Sequence, residues 1–147
     1  ELSSAHWVQV GYERVVQQYN LPVYQRHADL GVQFAYQAAC ELLDTAPDLT
    51  AMVMAYSASV VGLFRALRER GRSVPENFSI VGIGPGKIAH LLHPALTSVD
   101  FPFQQVGYQA AQMLIRQLAE GTPGVQQILV PPRLTVRETS GPIQKEV

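Results

Sequence analysis

The sequence predicts an α/β protein, an open parallel sheet flanked by helices, and three observations carry that prediction. Apolar runs of strand length at residues 51–55 and 78–83 alternate with apolar stripes at helical spacing. The first run turns directly into a helix through a Tyr56-Ser57 corner, the strand-to-helix step of such sheets. At 147 residues, 47% hydrophobic and 16% charged, the chain can bury one core and its length does not demand two.

Taken in order, Trp7, Val8, Tyr12, Val15, Val16 and Tyr19 recur at helical spacing and predict an amphipathic helix over about 6–19, stopped by Pro22 soon after Asn20. Pro22, Val23 and Tyr24 read as a short strand. Val32, Ala35, Tyr36, Ala39 and Leu43 mark a second helix, with Asp29 ahead of it as a cap and Pro47 at its end. Residues 51–55 are continuously apolar, the mark of a strand buried on both faces. Val60, Val61, Phe64 and Leu67 predict a helix closed by Gly71. Residues 78–83 repeat the strand, and 87–92 form a short helix that ends before Pro94. Thr97, Ser98 and Val99 make a brief extended piece ahead of Pro102. The longest helix covers 103–120 on the stripe Val106, Ala110, Met113, Leu114, Gln117 and Leu118, and stops at Gly121. Extended runs at 127–130 and 134–136 flank Pro131 and Pro132, and the tail at 141–147 is expected to be mobile. The chain carries no internal repeat and no low-complexity segment.

Eleven basic against twelve acidic residues give a net charge of −1 and no basic stripe, so these residues are not expected to hold a nucleic acid by themselves. The longest charge-free run, 49–64, is too short for a membrane helix and carries Thr50, Ser57 and Ser59. Glu1-Leu2-Ser3-Ser4 has neither the basic nor the apolar region of a signal peptide. One cysteine, Cys40, excludes an internal disulfide framework and fits a reducing compartment.

Chemistry is sparse. Gly82-Ile83-Gly84-Pro85-Gly86-Lys87 looks like a phosphate cradle but fails both fingerprints. A dinucleotide loop needs glycine where Lys87 stands, and a P-loop needs glycine at Val81 and Ser or Thr at Ile88. The segment reads as a glycine turn beyond a strand's C-terminal end, which places Gly84 beside Tyr56 and Ser57 along one crevice. His90 and His93 stand at i and i+3 on the short helix with no carboxylate or thiol nearby in sequence, so they read as surface or interface histidines and not as a metal site. Ser57 lacks the G-x-S-x-G elbow of a nucleophile and reads as a helix N-cap. Cys40, with no evident activating partner, reads as a packing residue. Tyr56 either faces the crevice or packs beneath it. Leu91 and Leu92 serve either a subunit contact or the core. No set of nucleophile, base and stabiliser assembles, so neither an enzyme nor a cofactor is expected.

Residues 74–83 (VPENFSIVGI), 93–99 (HPALTSV), 129–141 (LVPPRLTVRETSG) and 66–71 (ALRERG) together resemble the C-terminal half of the LacI/GalR family of bacterial transcription regulators. The likeness covers nearly the whole chain, in order. It implies a periplasmic-binding-protein-like fold of two α/β subdomains joined by crossover strands, with an effector held between them. Residues 1–100 and 131–140 would belong to the C-terminal subdomain and 101–130 to the N-terminal one, whose remainder is absent together with the DNA-binding head. On that template the 103–120 helix would lack a sheet to cover, so it is expected to pack on another chain or to rearrange. The resemblance also implies a cytoplasmic homodimer that contacts operator DNA through the missing head, with Val61, Leu91 and Leu92 at the dimer contact and no membrane partner.

It further places effector contacts at Val8, Leu30, Tyr56, Ser57, Gly84 and Phe103, and here the chain departs from the family. Members usually carry Ala-Asn-Asp where this chain has Ala55-Tyr56-Ser57. Two acidic residues usually stand at Gly84 and Pro85, and an arginine at Val8. Phe103 keeps an aromatic position that packs on the ligand. A sugar at such a site loses the hydration of its hydroxyls with few partners in return, so the expected effector is less polar or aromatic, or the site has lost its effector. The alternative reading, a solute-binding protein of a sugar transporter, uses the same fold.

Overall fold

The computed structural model describes residues 4–84, 86–121 and 124–142. The readings that fall on Glu1-Leu2-Ser3, on Pro85 and on the tail at 143–147 lie outside those residues. Among the described residues, five helices and four strands follow one another as α1 (Ser4–Gln18), α2 (Val32–Thr45), β1 (Ala51–Met54), α3 (Val60–Glu69), β2 (Ser79–Gly84), α4 (Gly86–Ala89), β3 (Thr97–Asp100), α5 (Phe103–Glu120) and β4 (Arg133–Thr135). A 3-10 turn, Ser57–Ser59, leads into α3. No helix among the described residues is long and apolar enough to cross a membrane.

The strands form one sheet in the order β1-β2-β3-β4. The first three run parallel, with Val53 beside Val81 and Ile83 beside Val99. The last is antiparallel, with Asp100 beside Arg133 and Ser98 beside Thr135. The sheet is therefore mixed, with the antiparallel strand at one edge, as is common for an otherwise parallel sheet.

One face of this sheet carries the core. Ile80 and Phe78 pack with Leu63, Leu67, Val60 and Leu96, and Met52 and Met54 lie against the same cluster. Each of these large side chains contributes about 1.5–3 kcal/mol when it leaves water completely. Helices α2 and α3 close over the cluster and approach each other tightly at Gly62. A Cβ built there would stand 2.2 Å from the Val32 carbonyl oxygen, so only glycine permits this crossing.

Four local expectations are corrected. Residues 22–24 make no strand, because the Tyr12 hydroxyl both accepts from the Tyr24 amide (3.1 Å) and donates to its carbonyl (3.0 Å), taking up the groups a ladder would use. Residues 127–130 likewise pair with no strand. Strand β1 is not buried on both faces: Ala51 and Val53 are exposed while Met52 and Met54 turn inward, because β1 lies at the sheet edge with its helices on one side. Asp29 does not cap α2, whose N-cap is Gly31 and carries no side-chain hydrogen bond.

The last helix shows a different outcome. Helix α5 covers the span expected from its stripe and ends on Gly121, yet Phe103, Val106, Leu114, Ile115 and Leu118 are all exposed. Its apolar face has no cover among the described residues.

Candidate ligand-binding crevice

The C-terminal ends of β1, β2 and β3 lie side by side, and three residues meet there. Ser57, the first residue of the 3-10 turn after β1, is fully buried, and its Oγ has no hydrogen-bond partner among the described residues. It therefore does not act as the side-chain N-cap expected from sequence: Tyr56 precedes the 3-10 turn and Ser59 precedes α3, neither with a side-chain cap bond. Gly84 closes β2 at φ +149°, a conformation L side chains rarely adopt. A Cβ on Gly84 would stand 2.6 Å from Ser57 Oγ, so the serine and the glycine are in direct register. Asp100, at the end of β3, pairs with Gly84 along the sheet.

Asp100 was not among the residues expected at the site, and it brings a polar cluster with it. Its carboxylate accepts hydrogen bonds from the Ser98 hydroxyl (2.6 Å) and the Thr135 hydroxyl (2.9 Å), and Arg137 stands 3.4 Å away. Arg137 in turn donates to the Leu96 carbonyl and to Ser98 Oγ, both at 2.7 Å. Asp100 and Arg137 lie 37 residues apart, and only the return of β4 onto β3 joins them. The sequence signal was slight: a charged residue on a strand exit, and an arginine in a strand-like Thr-Val-Arg run.

The aromatic candidates are both exposed. Tyr56 is 46% exposed and Phe103 61% exposed. Phe103 meets the ring of Phe101, centroids 5.9 Å apart, and among the described ring contacts none joins it to Tyr56. Beside it, Pro102, Gln104, Gln105 and Tyr108 line an open hollow of about 540 Å³ at the start of α5, adding polar groups that sequence reasoning had passed over. Leu30 is exposed in the turn before α2, and Val8 is half-buried on α1. Ser57 and Gly84 are thus brought together, while Tyr56 and Phe103 stand open and Leu30 and Val8 are held on other elements.

The proposed contact residues form a second surface. Val61 and Leu92 line one groove of about 520 Å³ together with Phe64, Arg68, Val74 and Pro94. Leu91 beside it is exposed, whereas Leu92 also packs on the core. Helix α4 ends at Ala89, so His90 lies in a turn and His93 in a bend, and the two histidines do not share a helix face as their spacing suggested. No three His, Cys, Asp or Glu side chains among the described residues converge to hold a metal.

A second set of linked charges lies at the far end of α3. The Tyr36 hydroxyl donates to Glu69 at 2.6 Å, and Arg65 both pairs with Glu69 (2.9 Å) and stacks 4.3 Å over the Tyr36 ring. The hydrogen bond to Glu69, then the neighbouring Cys40 thiol, pushes the Tyr36 phenol up to about 12. The same bond, followed by Arg65, holds the Glu69 carboxyl below its ordinary value. Cys40 packs against the core as expected, but it does have a charged neighbour: Arg70 donates to its sulfur at 3.2 Å and to Asp44 at 2.7 Å.

Comparison with known proteins agrees with this architecture. Residues 1–140 match the family model described as a periplasmic binding protein-like domain. The HTH-type transcriptional regulator CelR of Thermobifida fusca is 31% identical over 113 residues, which is 77% of this chain and 33% of that protein. Among solved structures, a transcriptional regulator CelR–cellobiose complex superposes with a TM-score of 0.81 at 27% identity, covering 92% of this chain and 42% of that one. The lac repressor dimer bound to operator and the anti-inducer ONPF gives a TM-score of 0.83 at 25% identity, covering 93% and 48%. The chain thus spans a third to a half of the length of these relatives. It belongs to the periplasmic binding protein-like domain family, on the LacI/GalR side of it, and corresponds to the effector-binding portion of those regulators.

Proposed function

We propose that this chain is the effector-sensing and dimerising portion of a LacI/GalR-type transcriptional regulator. The observation that carries the reading is the likeness, over 77–88% of the chain, to proteins named as a transcriptional regulator and an operon repressor. In the whole protein, acting in the cytoplasm, a ligand would bind the open and closed arrangements of two subdomains unequally and so shift the population that grips operator DNA. Residues 1–100 and 131–140 form one subdomain and 101–130 part of the other. The return of β4 onto β3, with the bare α5 between them, supports this division. Val61, Leu91 and Leu92 meet a second copy of the chain, which the groove at Val61 and Leu92 supports.

The effector site is atypical. Ser57 and Gly84 stand at its centre, Val8, Leu30, Tyr56 and Phe103 are its further proposed contacts, and Asp100, paired with Gly84 along the sheet, is already engaged by Ser98, Thr135 and Arg137. Such a lining favours a ligand with an apolar or aromatic face over a free monosaccharide, each of whose hydroxyls must find a partner on leaving water. Calorimetric titration of the complete protein with ribose and glucose is the test. Dissociation constants above about 1 mM, equivalent to about −4 kcal/mol, are expected. Micromolar binding of either sugar overturns the atypical site. Operator binding by the complete protein tests the regulator reading separately, and a protein that binds no DNA overturns that.

A further inference from the structure

Residues 101–132 leave the body after Asp100 and rejoin it at Arg133, so two short chain passages carry the whole α5 segment. Among the described residues, helix α5 keeps Phe103, Val106, Leu114, Ile115 and Leu118 exposed and buries none of its side chains. What fixes its direction must therefore act at the junction. Both passages carry proline there, Pro102 after β3 and Pro131-Pro132 before β4, and proline restricts the backbone at each.

Between the two passages stands the cluster around Asp100. Asp100 is the last residue of β3 and lies beside Arg133, the first residue of β4. Its carboxylate is bonded from its own strand by Ser98, from β4 by Thr135 and from beyond β4 by Arg137. Arg137 ties back to β3 through Ser98 Oγ and to the residue before it through the Leu96 carbonyl. Of the ion pairs among the described residues this is the least exposed, at 18% and 22% for its two side chains, so solvent and salt screen it least.

We infer that the Asp100–Ser98–Thr135–Arg137 cluster is a clasp that stiffens the two-strand connection and sets the direction of residues 101–132 relative to the body. Ser98 Oγ donates to Asp100 and accepts from Arg137 while Thr135 also donates to Asp100, so removing Asp100 or Arg137 takes partners from several of the others and loosens both passages together. If the chain works as proposed above, the clasp also opposes rotation of one subdomain on the other and tunes the ligand response, a consequence that rests on that reading. The stiffness itself does not.

Hydrogen exchange on the complete protein, followed peptide by peptide, tests it without ligand or DNA. In Asp100→Asn, amides in peptides covering 97–103 and 131–137 are expected to exchange about tenfold faster, while those in 60–69 on α3 are unchanged. Arg137→Met is expected to do the same. The double variant should exceed neither single one, because both act through one cluster. Thr135→Val, which keeps the side-chain volume, is expected to give about a threefold rise at the same peptides, and it decides the matter if the charge variants do not fold. Unchanged exchange at the junction overturns the clasp. A rise shared equally by α3 overturns it too, since it would make the cluster a general stabiliser of the body. A protein that binds no effector and no operator can still pass or fail this test, so the two readings fail separately.

Discussion

Helices α2 and α5 carry apolar stripes of the same kind, yet they end in opposite situations. In α2, Ala35, Ala39, Leu42 and Leu43 are buried and the helix packs on α3. In α5, the longer of the two, Phe103, Val106, Leu114 and Leu118 stay exposed. The difference teaches that an amphipathic stripe specifies a helix and the face that seeks cover, but says nothing about where the cover comes from. For α2 the cover is 20 to 30 residues ahead in the same chain. For α5 no such cover is found among the described residues.

The sharpest way to separate the two regions is by substitution. Phe78→Ala, at the centre of the core and fully buried, is expected to cost about 3–5 kcal/mol and to unfold the body, measured by chemical denaturation. At the junction between the regions, Gly84→Ala is expected to cost about 1–3 kcal/mol, since it combines a strained φ with a Cβ placed on Ser57 Oγ. Adding Ser57→Ala should return part of that loss by removing the clashing hydroxyl, while the backbone strain stays. An additive double variant would break the proposed register of these two residues. In the open helix, Leu118→Gln, at a site 78% exposed, is expected to change the stability of this chain by less than about 0.5 kcal/mol. A loss above about 2 kcal/mol in the complete protein would then show that α5 is covered there.

The smallest effect is a change in pH response at the α2–α3 seam. The lowered Glu69 carboxyl contributes stability that is present above its unfolded value and lost as pH falls through the lower folded one. Tyr36→Phe removes the first cause of that lowering. In the variant the Glu69 titration, followed by carboxyl NMR, should move back up toward the ordinary carboxylate range, and the acid-side loss of stability should shrink. The raised Tyr36 phenol acts on the other side, its contribution being complete below the ordinary phenol range and lost as pH rises toward about 12. An unmoved Glu69 titration would detach the seam from this hydrogen bond.

Much of the fold was legible because its signals are local. The stripe from Phe103, the break at Gly121, the apolar strand before Tyr56 and the glycine-rich end of β2 all coincide with observed elements within a few residues. Legibility failed where a segment's state depends on a distant partner. Val23 and Tyr24 have strand-forming side chains, but a tyrosine hydroxyl from α1 occupies the Tyr24 backbone groups. His90 and His93 have helical spacing, but the helix beneath them stops at Ala89. At the crevice, the neighbourhood of Ser57 and Gly84 followed from the rule that ligands gather at strand ends. The presence of Asp100 and Arg137 did not, because their meeting depends on how β4 returns.

By itself, the sequence determined the fold class, the positions of the long helices and the strand-to-helix corner at Tyr56-Ser57. These follow from periodicity, glycine and proline placement and residue order, which are properties of neighbouring residues. The tertiary structure alone decided that β4 is antiparallel, that β1 lies at an edge with Val53 exposed, that Ser57 is buried without capping its helix, and that Asp100 is clasped by Arg137. Each of these depends on which segments pair across dozens of residues, and pairing is settled by the burial of the whole sheet and not by any one stretch of chain.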